Sequence, residues 1–222
     1  MQATRLPTLH RRRLLAGAAA SLVAGPACAQ YRGPVRSMLE MRRDAVVVQE
    51  WDLSCGAAAL ATVLRYQHGD PVSERDLVIG LISRDIYIAN PELVQIRQGF
   101  SLLDLKRVVE ARGYNGFGYG DLTYEDALDL APIITPIDPS GYNHFVVLIG
   151  QVGDRVQVAD PAFGNTTMTV GRFQRIWMEF ADLGQVGFIV TRGEDPAPPG
   201  RLRPNPQVFL MPPLDAVRQT LP

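Results

Sequence analysis

Cysteine is scarce in this sequence, with 2 among 222 residues. Two cysteines cannot build a disulfide framework or a closed cysteine-rich zinc site. An excess of one charge is missing as well, because 22 basic residues stand against 23 acidic ones. A protein that mainly binds nucleic acid needs a clustered basic surface, so this balance argues against that class. The hydrophobic residues, 46% of the chain, are enough to bury a core.

A long hydrophobic run is also missing. The uncharged stretch 14–29 is rich in Ala, Gly and Leu, but its 16 residues fall short of the ~20 that a membrane span needs. Arginines precede it and Ala27-Cys28-Ala29 ends it, which is the pattern of a removable signal peptide. We predict that residues 1–29 are an export signal cleaved after Ala29, which leaves a periplasmic chain without a stable membrane span. An uncleaved N-terminal membrane anchor is the alternative.

The arginines of this segment suggest the export route. Arg11-Arg12-Arg13-Leu14-Leu15 resembles the twin-arginine signal, on which proteins cross the membrane already folded. Cleavage would also remove Cys28 and leave Cys55 as the single cysteine of the mature sequence. The mature chain would carry 18 basic and 23 acidic residues, a net charge of −5.

Helix signals dominate the first half of the mature chain. Small and apolar residues from Cys55 to Gln67 predict a helix, with Gly69 beyond its end as a stop. Three more helices are predicted at capping boxes, in which a hydroxyl caps a free N–H group and a carboxylate reaches back. These boxes are Ser73 with Asp76, Ser101 with Asp104, and Thr123 with Asp126. The stretch 86–99 is ambiguous and is expected to be a surface loop.

Strand signals dominate after residue 130. Apolar or alternating runs separated by turn residues predict strands at 131–137, 144–150, 155–160, 166–170 and 187–191. A further strand is predicted at 45–49, and a short helical turn at 172–180. Helices followed by strands favour an α+β domain over an alternating α/β one.

The chain is predicted to hold one domain between two irregular ends. The domain covers 44–192, preceded by a lead-in segment at 30–43. In the remaining segment, 193–222, 8 of the 17 prolines occur, which favours an extended tail over a second core.

Cys55 is the candidate nucleophile. At a helix start, unpaired N–H groups and the helix dipole stabilise a thiolate over a thiol. A thiolate beside an imidazole is the nucleophile–base pair that acyl transfer requires. Taken alone, a cysteine among alanines is more often a small buried residue, so its partners decide the interpretation.

Three polar residues are the candidate partners of Cys55. His144 begins one predicted strand and Asp160 ends the next, so the two can be adjacent across an antiparallel pair. Asp160 could then orient the imidazole as in a catalytic triad, although Asp before Pro is also a common turn former. Gln49, just upstream of Cys55, can donate its amide to a developing oxyanion. Spacing alone does not show that the four meet in space.

Three signatures together resemble the C39 cysteine peptidases, papain-like domains that cut leader peptides from bacteriocins after a double glycine. The first has Gln six residues before Cys-Gly, the second has His at the head of an apolar strand, and the third has Asp-Pro sixteen residues after that His. In order they read QEWDLSCGAAALATVLRY (49–66), GYNHFVVLIG (141–150) and VADPAFG (158–164). The resemblance spans residues 44–191.

The resemblance implies a papain-like α+β fold, with N-terminal helices packed on a C-terminal antiparallel sheet. It implies that Cys55 is the nucleophile, His144 the general base and Asp160 the orienting acid. Gln49 would donate to the oxyanion together with the backbone N–H of Cys55. No metal or organic cofactor is expected.

The implied substrate is a secreted peptide, a leader peptide or an unfolded protein segment. It would be cut after small residues such as Gly-Gly, through a thioester intermediate. Residues beside the signature positions are expected to contact this substrate, namely Trp51, Gly56 and Asn143.

Two features differ from the family members that form part of ABC exporters. The sequence has an export signal, and it lacks both a Walker G-x-x-x-x-G-K motif and a series of membrane spans. The stretch GFSLLDLKRVVEARGY (99–114) is similar to stand-alone exported C39-like proteins that accompany functional-amyloid secretion. A secretion or export complex is therefore an expected partner.

Two alternatives stay open on the sequence. The first is a non-catalytic C39-like module that binds an exported peptide or a secretion apparatus. The second is another acyl-transfer enzyme, such as a transglutaminase-like enzyme or a cell-wall amidase. The presence of Cys55, His144 and Asp160 together favours a peptidase.

The remaining conspicuous residues have structural interpretations. His68 is expected to be a cation at a helix C-terminus rather than a ligand. Trp51 and Trp177 could line a substrate groove, although core packing is the default for both. The Gly-rich stretch 116–120 lacks a following helix that could bind phosphate, so a nucleotide site is not expected.

Overall fold

The computed structural model describes residues 36–193, 200 and 202–205. The predicted export signal at 1–29 lies outside the described residues, as does most of the predicted tail. Of the lead-in segment, residues 36–43 are described, and they include a short exposed helix.

The helices within the described residues number eight and lie mostly before the sheet. They are α1 Met38–Arg42, α2 Cys55–Tyr66, α3 Glu74–Ile82, α4 Asp85–Ala89, α5 Leu93–Ile96, α6 Leu102–Ala111, α7 Tyr124–Asp129 and α8 Val170–Ile176. The three capping boxes predicted for α3, α6 and α7 are confirmed, since in each the hydroxyl and the carboxylate exchange bonds with backbone N–H groups. The stretch 86–99 is not a plain loop, because it contains most of α4 and all of α5.

Six of the eight described strands form one antiparallel sheet in the order β1-β8-β2-β3-β4-β5, and β6 and β7 form a separate pair. The strands are β1 Asn115–Tyr119, β2 Ile133–Ile137, β3 His144–Val152, β4 Arg155–Asp160, β5 Gly164–Thr169, β6 Glu179–Phe180, β7 Gly184–Gln185 and β8 Gly187–Thr191. The five strands predicted after residue 130 are confirmed as β2, β3, β4, β5 and β8.

One strand prediction is wrong, and the strand β1 was not predicted. Residues 45–49 form no strand, because their backbone N–H groups bond to a side chain and to a loop instead of to another strand. The N–H of Val47 donates to Thr62 Oγ1, and the N–H of Gln49 donates to the carbonyl of Pro161. The Gly-rich stretch at 116–120 does contain a strand, β1, which pairs with β8. Glycine is needed there because a Cβ at Gly116 would lie 2.8 Å from the ring of Phe188.

The sheet is covered on both faces. Alternate residues of β2, β3 and β4 point to opposite sides, so Ile134 and Val147 join one core while Ile133 and Val146 join the other. Helices α2, α3 and α6 cover the first face, and α7 and α8 cover the second. Helix α2 is buried along most of its length and packs against β3. This packing brings the start of α2 close to the start of β3.

Candidate active site

Cys55 is the first residue of α2 and is buried. The preceding residue, Ser54, makes no side-chain hydrogen bond to the helix. The first intrahelical bond runs from the N–H of Ala58 to the carbonyl of Ser54, at 3.0 Å. The N–H groups of the first turn therefore stay available to a negative charge at the helix start, because no capping side chain takes them.

His144 and Asp160 lie next to each other at one end of the sheet. Val147 pairs with Ala159, so Asp160 lies across from Val146, and His144 is two residues further along the same face. The Nε2 atom of His144 is 2.8 Å from Oδ1 of Asp160, which fits an N–H donor on the ring and a carboxylate acceptor. Oδ1 also accepts from the N–H of Ala162 at 2.8 Å and of Phe163 at 3.3 Å. Asp160 therefore orients the imidazole and forms the turn as well.

The electrostatics of His144 depend on both neighbours. Burial by itself disfavours the imidazolium, but hydrogen bonds to Asp160 and Cys55, and the negative charges of both, outweigh it and raise the pKa of His144 to about 9. At neutral pH, His144 is therefore cationic beside Asp160 and Cys55. This arrangement suits a thiolate–imidazolium pair.

Gln49 is held beside the site by hydrogen bonds from its backbone N–H and from its side-chain amide. Its N–H donates to the carbonyl of Pro161 at 2.8 Å, next to Asp160. Its side-chain Nε2 donates to the carbonyl of Trp51 at 3.0 Å. An amide nitrogen carries two hydrogens, so this bond fixes the amide and leaves the second hydrogen for another acceptor. Oε1 is buried without a partner among the described residues.

An apolar cavity of about 680 Å³ adjoins His144. Its walls come from the α5–α6 region, from β2 and β3, and from the β6–β7 pair. Residues on its walls include Ile96, Phe100, Leu103, Phe145, Met178 and Leu183. A cavity of this size and character accepts the apolar side chains of a ligand.

The three residues expected to contact substrate differ in their surroundings. Asn143 is exposed and lines the cavity. Gly56 is buried in the first turn of α2, where a Cβ would lie 3.3 Å from the ring of Phe145. Trp51 is 43% exposed, so the expectation that it packs in the core is wrong. Neither Gly56 nor Trp51 lines the cavity beside His144.

Two other expectations have clear outcomes. Trp177 is in the core as predicted, and its indole N–H donates to the carbonyl of Val186. His68 is not a cation at a helix end. It is buried, its ring nitrogen lies 3.0 Å from the carbonyl of Val190, and burial lowers its pKa.

Sequence reasoning missed Tyr142, two residues before His144. Its ring centroid lies 5.8 Å from that of His144 at an angle of 56°. Burial raises the pKa of Tyr142, and the negative charges of Asp160 and Cys55 add to the effect. An aromatic residue close to a candidate histidine was the available signal.

Neither a metal centre nor a membrane helix is found in the part of the chain that the structure describes. Its His, Cys, Asp and Glu side chains form no group of three or more that could hold a metal ion. None of the helices described has the length and hydrophobicity that a bilayer crossing requires.

Comparison with known proteins places these features in a family. The family model described as "Peptidase C39 family" matches residues 43–183. A Pseudomonas aeruginosa protein named "Probable functional amyloid protease FapD" is 39% identical over 153 residues, which are 68% of this chain and 66% of that protein. Its Pseudomonas fluorescens counterpart is 36% identical over 154 residues, with the same shares covered. The chain thus spans just under two thirds of the length of these curated relatives.

A solved structure supports the fold. The peptidase domain of Streptococcus ComA, a bifunctional ABC transporter of a quorum-sensing pathway, aligns with a TM-score of 0.51 and 19% sequence identity. The alignment covers 66% of this chain and 97% of that domain. The predicted α+β, papain-like architecture, with helices packed on an antiparallel sheet, is confirmed.

Proposed function

The chain belongs to the peptidase C39 family, and from this membership we propose that it is an exported cysteine peptidase that uses Cys55, His144 and Asp160. The observation that carries the proposal is the position of His144 between a cysteine at a helix start and a carboxylate 2.8 Å away. A module that only binds a peptide has no need for a buried cationic histidine held beside a cysteine.

Acylation starts from the thiolate–imidazolium pair. Sγ of Cys55 attacks the scissile carbonyl carbon, and the carbonyl oxygen becomes an oxyanion. His144 then gives its proton to the leaving amine as the C–N bond breaks, which leaves a thioester on Cys55 and a neutral imidazole. Asp160 accepts the hydrogen bond from Nε2 of His144, which fixes the orientation of the ring and stabilises the imidazolium.

Deacylation reverses the proton transfers. The neutral imidazole of His144 takes a proton from water, and the resulting hydroxide attacks the thioester carbonyl. The C–S bond breaks, the peptide acid leaves, and Cys55 returns to the thiolate beside a protonated His144. Protons and charges therefore balance over one turnover.

The oxyanion is stabilised by Gln49 and by the backbone at the start of α2. Trp51 holds the Gln49 amide through one hydrogen, and the second hydrogen is free to donate. The N–H of Cys55 belongs to the uncapped first turn of α2. Two such donors are the usual composition of an oxyanion hole.

The proposed substrate is a secreted peptide or unfolded segment, cut after small residues such as Gly-Gly. The apolar cavity beside His144 supports binding of an extended or helical peptide through its apolar side chains. Family membership supports the preference for small residues at the cut. The names of the two Pseudomonas relatives support a substrate that belongs to functional-amyloid secretion.

We also propose that the chain acts in the periplasm, after cleavage of residues 1–29. The basic region, the short apolar stretch and Ala27-Cys28-Ala29 support export. An export complex would then present the substrate to the enzyme.

The test is hydrolysis of a peptide amide that carries Gly-Gly before an aminomethylcoumarin leaving group. Cys55→Ala should abolish both hydrolysis and iodoacetamide labelling at position 55, with the circular dichroism spectrum unchanged. Asp126→Asn, at the exposed cap of α7, is the control and should keep full activity. Hydrolysis that survives in Cys55→Ala would overturn the proposed mechanism. If a peptide amide with Val-Val before the leaving group is hydrolysed as fast as the Gly-Gly one, only the proposed specificity is overturned.

A further inference from the structure

Glu74 is a buried carboxylate that the proposed mechanism does not use. It is 4% exposed at the first position of α3. Among the described residues no Lys, Arg or His forms an ion pair with it. Burying an unpaired charge is costly unless hydrogen bonds compensate for it. Its partners therefore indicate what it does.

Both carboxylate oxygens of Glu74 bind the segment that joins Gln49 to Cys55. Oε2 accepts from the backbone N–H of Glu50 at 2.9 Å, directly after Gln49. Oε1 lies 2.5 Å from the hydroxyl of Ser54, directly before Cys55. One side chain thus bridges the two ends of the segment 50–54.

The bridge explains why Ser54 does not cap α2. The Ser54 hydroxyl lies within hydrogen-bond distance of Glu74 and of the Trp51 carbonyl, at 2.5 and 2.6 Å, and makes no bond to the helix. That same Trp51 carbonyl also accepts from the Gln49 amide. Glu74 is therefore linked to both proposed oxyanion donors, since it binds Ser54, directly before Cys55, and shares a hydrogen-bond network with Gln49.

The segment itself has little freedom to choose another shape. Leu53 has a φ of 66°, a left-handed conformation that costs energy for a residue with a Cβ. Gly99 packs so closely that a Cβ there would lie 3.1 Å from the Leu53 carbonyl oxygen. A strained conformation persists only when its surroundings impose it, and the Glu74 contacts are part of those surroundings.

We propose that Glu74 is a positioning residue, which holds Gln49 and Cys55 at the separation that oxyanion stabilisation requires. The inference rests on the proposed roles of Gln49 and Cys55. Glu74 does not touch the reacting atoms, so its effect must pass through the segment 50–54.

Two small probes separate positioning from general damage to the fold. p-Nitrophenyl acetate acylates Cys55: a C–S bond forms, the ester C–O bond breaks, p-nitrophenolate leaves, and an oxyanion forms on the way. Iodoacetamide alkylates Cys55: a C–S bond forms, iodide leaves, and no oxyanion arises. Rates on the full chain, corrected by Cys55→Ala, report on the oxyanion hole and on the thiolate separately.

Glu74→Gln should lower the acylation rate by about tenfold or more while the alkylation rate changes by less than about threefold. The neutral amide can accept at one end only and can reach the other end only by donating to the Ser54 hydroxyl, so the bridge loses both of its charge-assisted hydrogen bonds. Gln49→Ala should give the same pattern, and the double variant should lose no more than the larger single effect, because both changes act on one donor set. Asp70→Asn, which removes the carboxylate that pairs with Arg112 beyond the far end of α2, is the matched control and should keep both rates.

Each result has one interpretation. Unchanged acylation in Glu74→Gln, with a loss in Gln49→Ala, overturns the role of Glu74 and leaves the proposed function standing. Unchanged acylation in both variants overturns the oxyanion hole and this inference with it. Additive losses in the double variant also overturn the inference. If Glu74→Gln fails to fold, Ser54→Ala can replace it, because this variant removes only one end of the bridge. An acylation rate of Ser54→Ala equal to that of the wild type would overturn the positioning role of Glu74.

Discussion

Nε2 of His144 binds Oδ1 of Asp160 at 2.8 Å although the two residues are not cross-strand partners. Asp160 lies opposite Val146, and His144 reaches it diagonally from two residues away on the same face. The diagonal leaves the other ring nitrogen to face Cys55, whose hydrogen bond contributes to the raised pKa of His144. This geometry gives the site its pH dependence.

The raised pKa of His144 predicts an alkaline limb in the activity. The leaving amine needs a proton from the imidazolium, so kcat/KM should fall as the pH rises through about 9. A pH–rate profile on the Gly-Gly peptide amide measures this limb. A limb at pH 6.5, the ordinary value for histidine, would contradict the ion pair.

The same shift predicts a window of pH-dependent stability. The folded-state pKa lies above the ordinary value of 6.5, so the stabilisation from the charged His144 is complete below pH 6.5 and is lost as the pH rises to about 9. Denaturant unfolding at several pH values should show the free energy of unfolding falling across this window. In a Cys55→Ala, Asp160→Asn double variant the fall should shrink, because both anionic partners are gone.

Asp160→Asn should lower kcat by a factor on the order of 10²–10⁴, since the neutral amide lacks the charge that stabilises the imidazolium. The fold should persist, because an amide oxygen can still accept from the N–H groups of Ala162 and Phe163. Steady-state kinetics and a melting curve measure the two effects. Asp126→Asn, at the exposed cap of α7, serves as the control and should leave kcat unchanged.

Tyr142→Ala should move the alkaline limb to higher pH, because burial lowers the pKa of His144 and removing a neighbouring ring admits water. The ring of Tyr142 packs 5.8 Å from that of His144. Tyr142→Phe should keep the wild-type limb, since the ring and not the hydroxyl provides the cover. Tyr119→Ala is a matched control, because Tyr119 is exposed to a similar extent, 39% against 41%, and lies on β1. Equal limbs in Tyr142→Ala and the wild type would argue that the ring has no such role.

Leu202→Ala should cost about 2–5 kcal/mol of stability, as for other buried leucines. Leu202 is buried in the core that α2 covers, although it lies beyond the region that the family model matches. The N–H of Asn205 also donates to Gln157 on β4, at 2.8 Å. Thermal melting should show a drop of about 2–4 °C for each kcal/mol. Leu39→Ala, at an exposed leucine of α1, should change stability by less than about 0.5 kcal/mol.

Local signals predicted most of the elements. The capping boxes at Ser73, Ser101 and Thr123 placed three helix starts, because a cap is satisfied within four residues of the chain. The strand β1 was missed because its glycines carry no hydrophobic pattern, and the close contact of Gly116 with Phe188 is not visible in the sequence. Trp51 was expected in the core but is exposed, and His68 was expected to be a cation at a helix end but is buried. The exposure of a side chain depends on segments that are distant in the chain.

The sequence by itself determined most of the elements and their order, the family resemblance and the identity of the four candidate residues Gln49, Cys55, His144 and Asp160. These follow from periodicity, caps and spacing, which are local in the chain. Only the tertiary structure decided that Asp160 meets His144 diagonally, that Tyr142 covers the pair, and that Glu74 bridges Glu50 and Ser54. Those contacts join residues up to 24 positions apart, and they exist because the packing of α2 against β3 and α3 brings separate segments together.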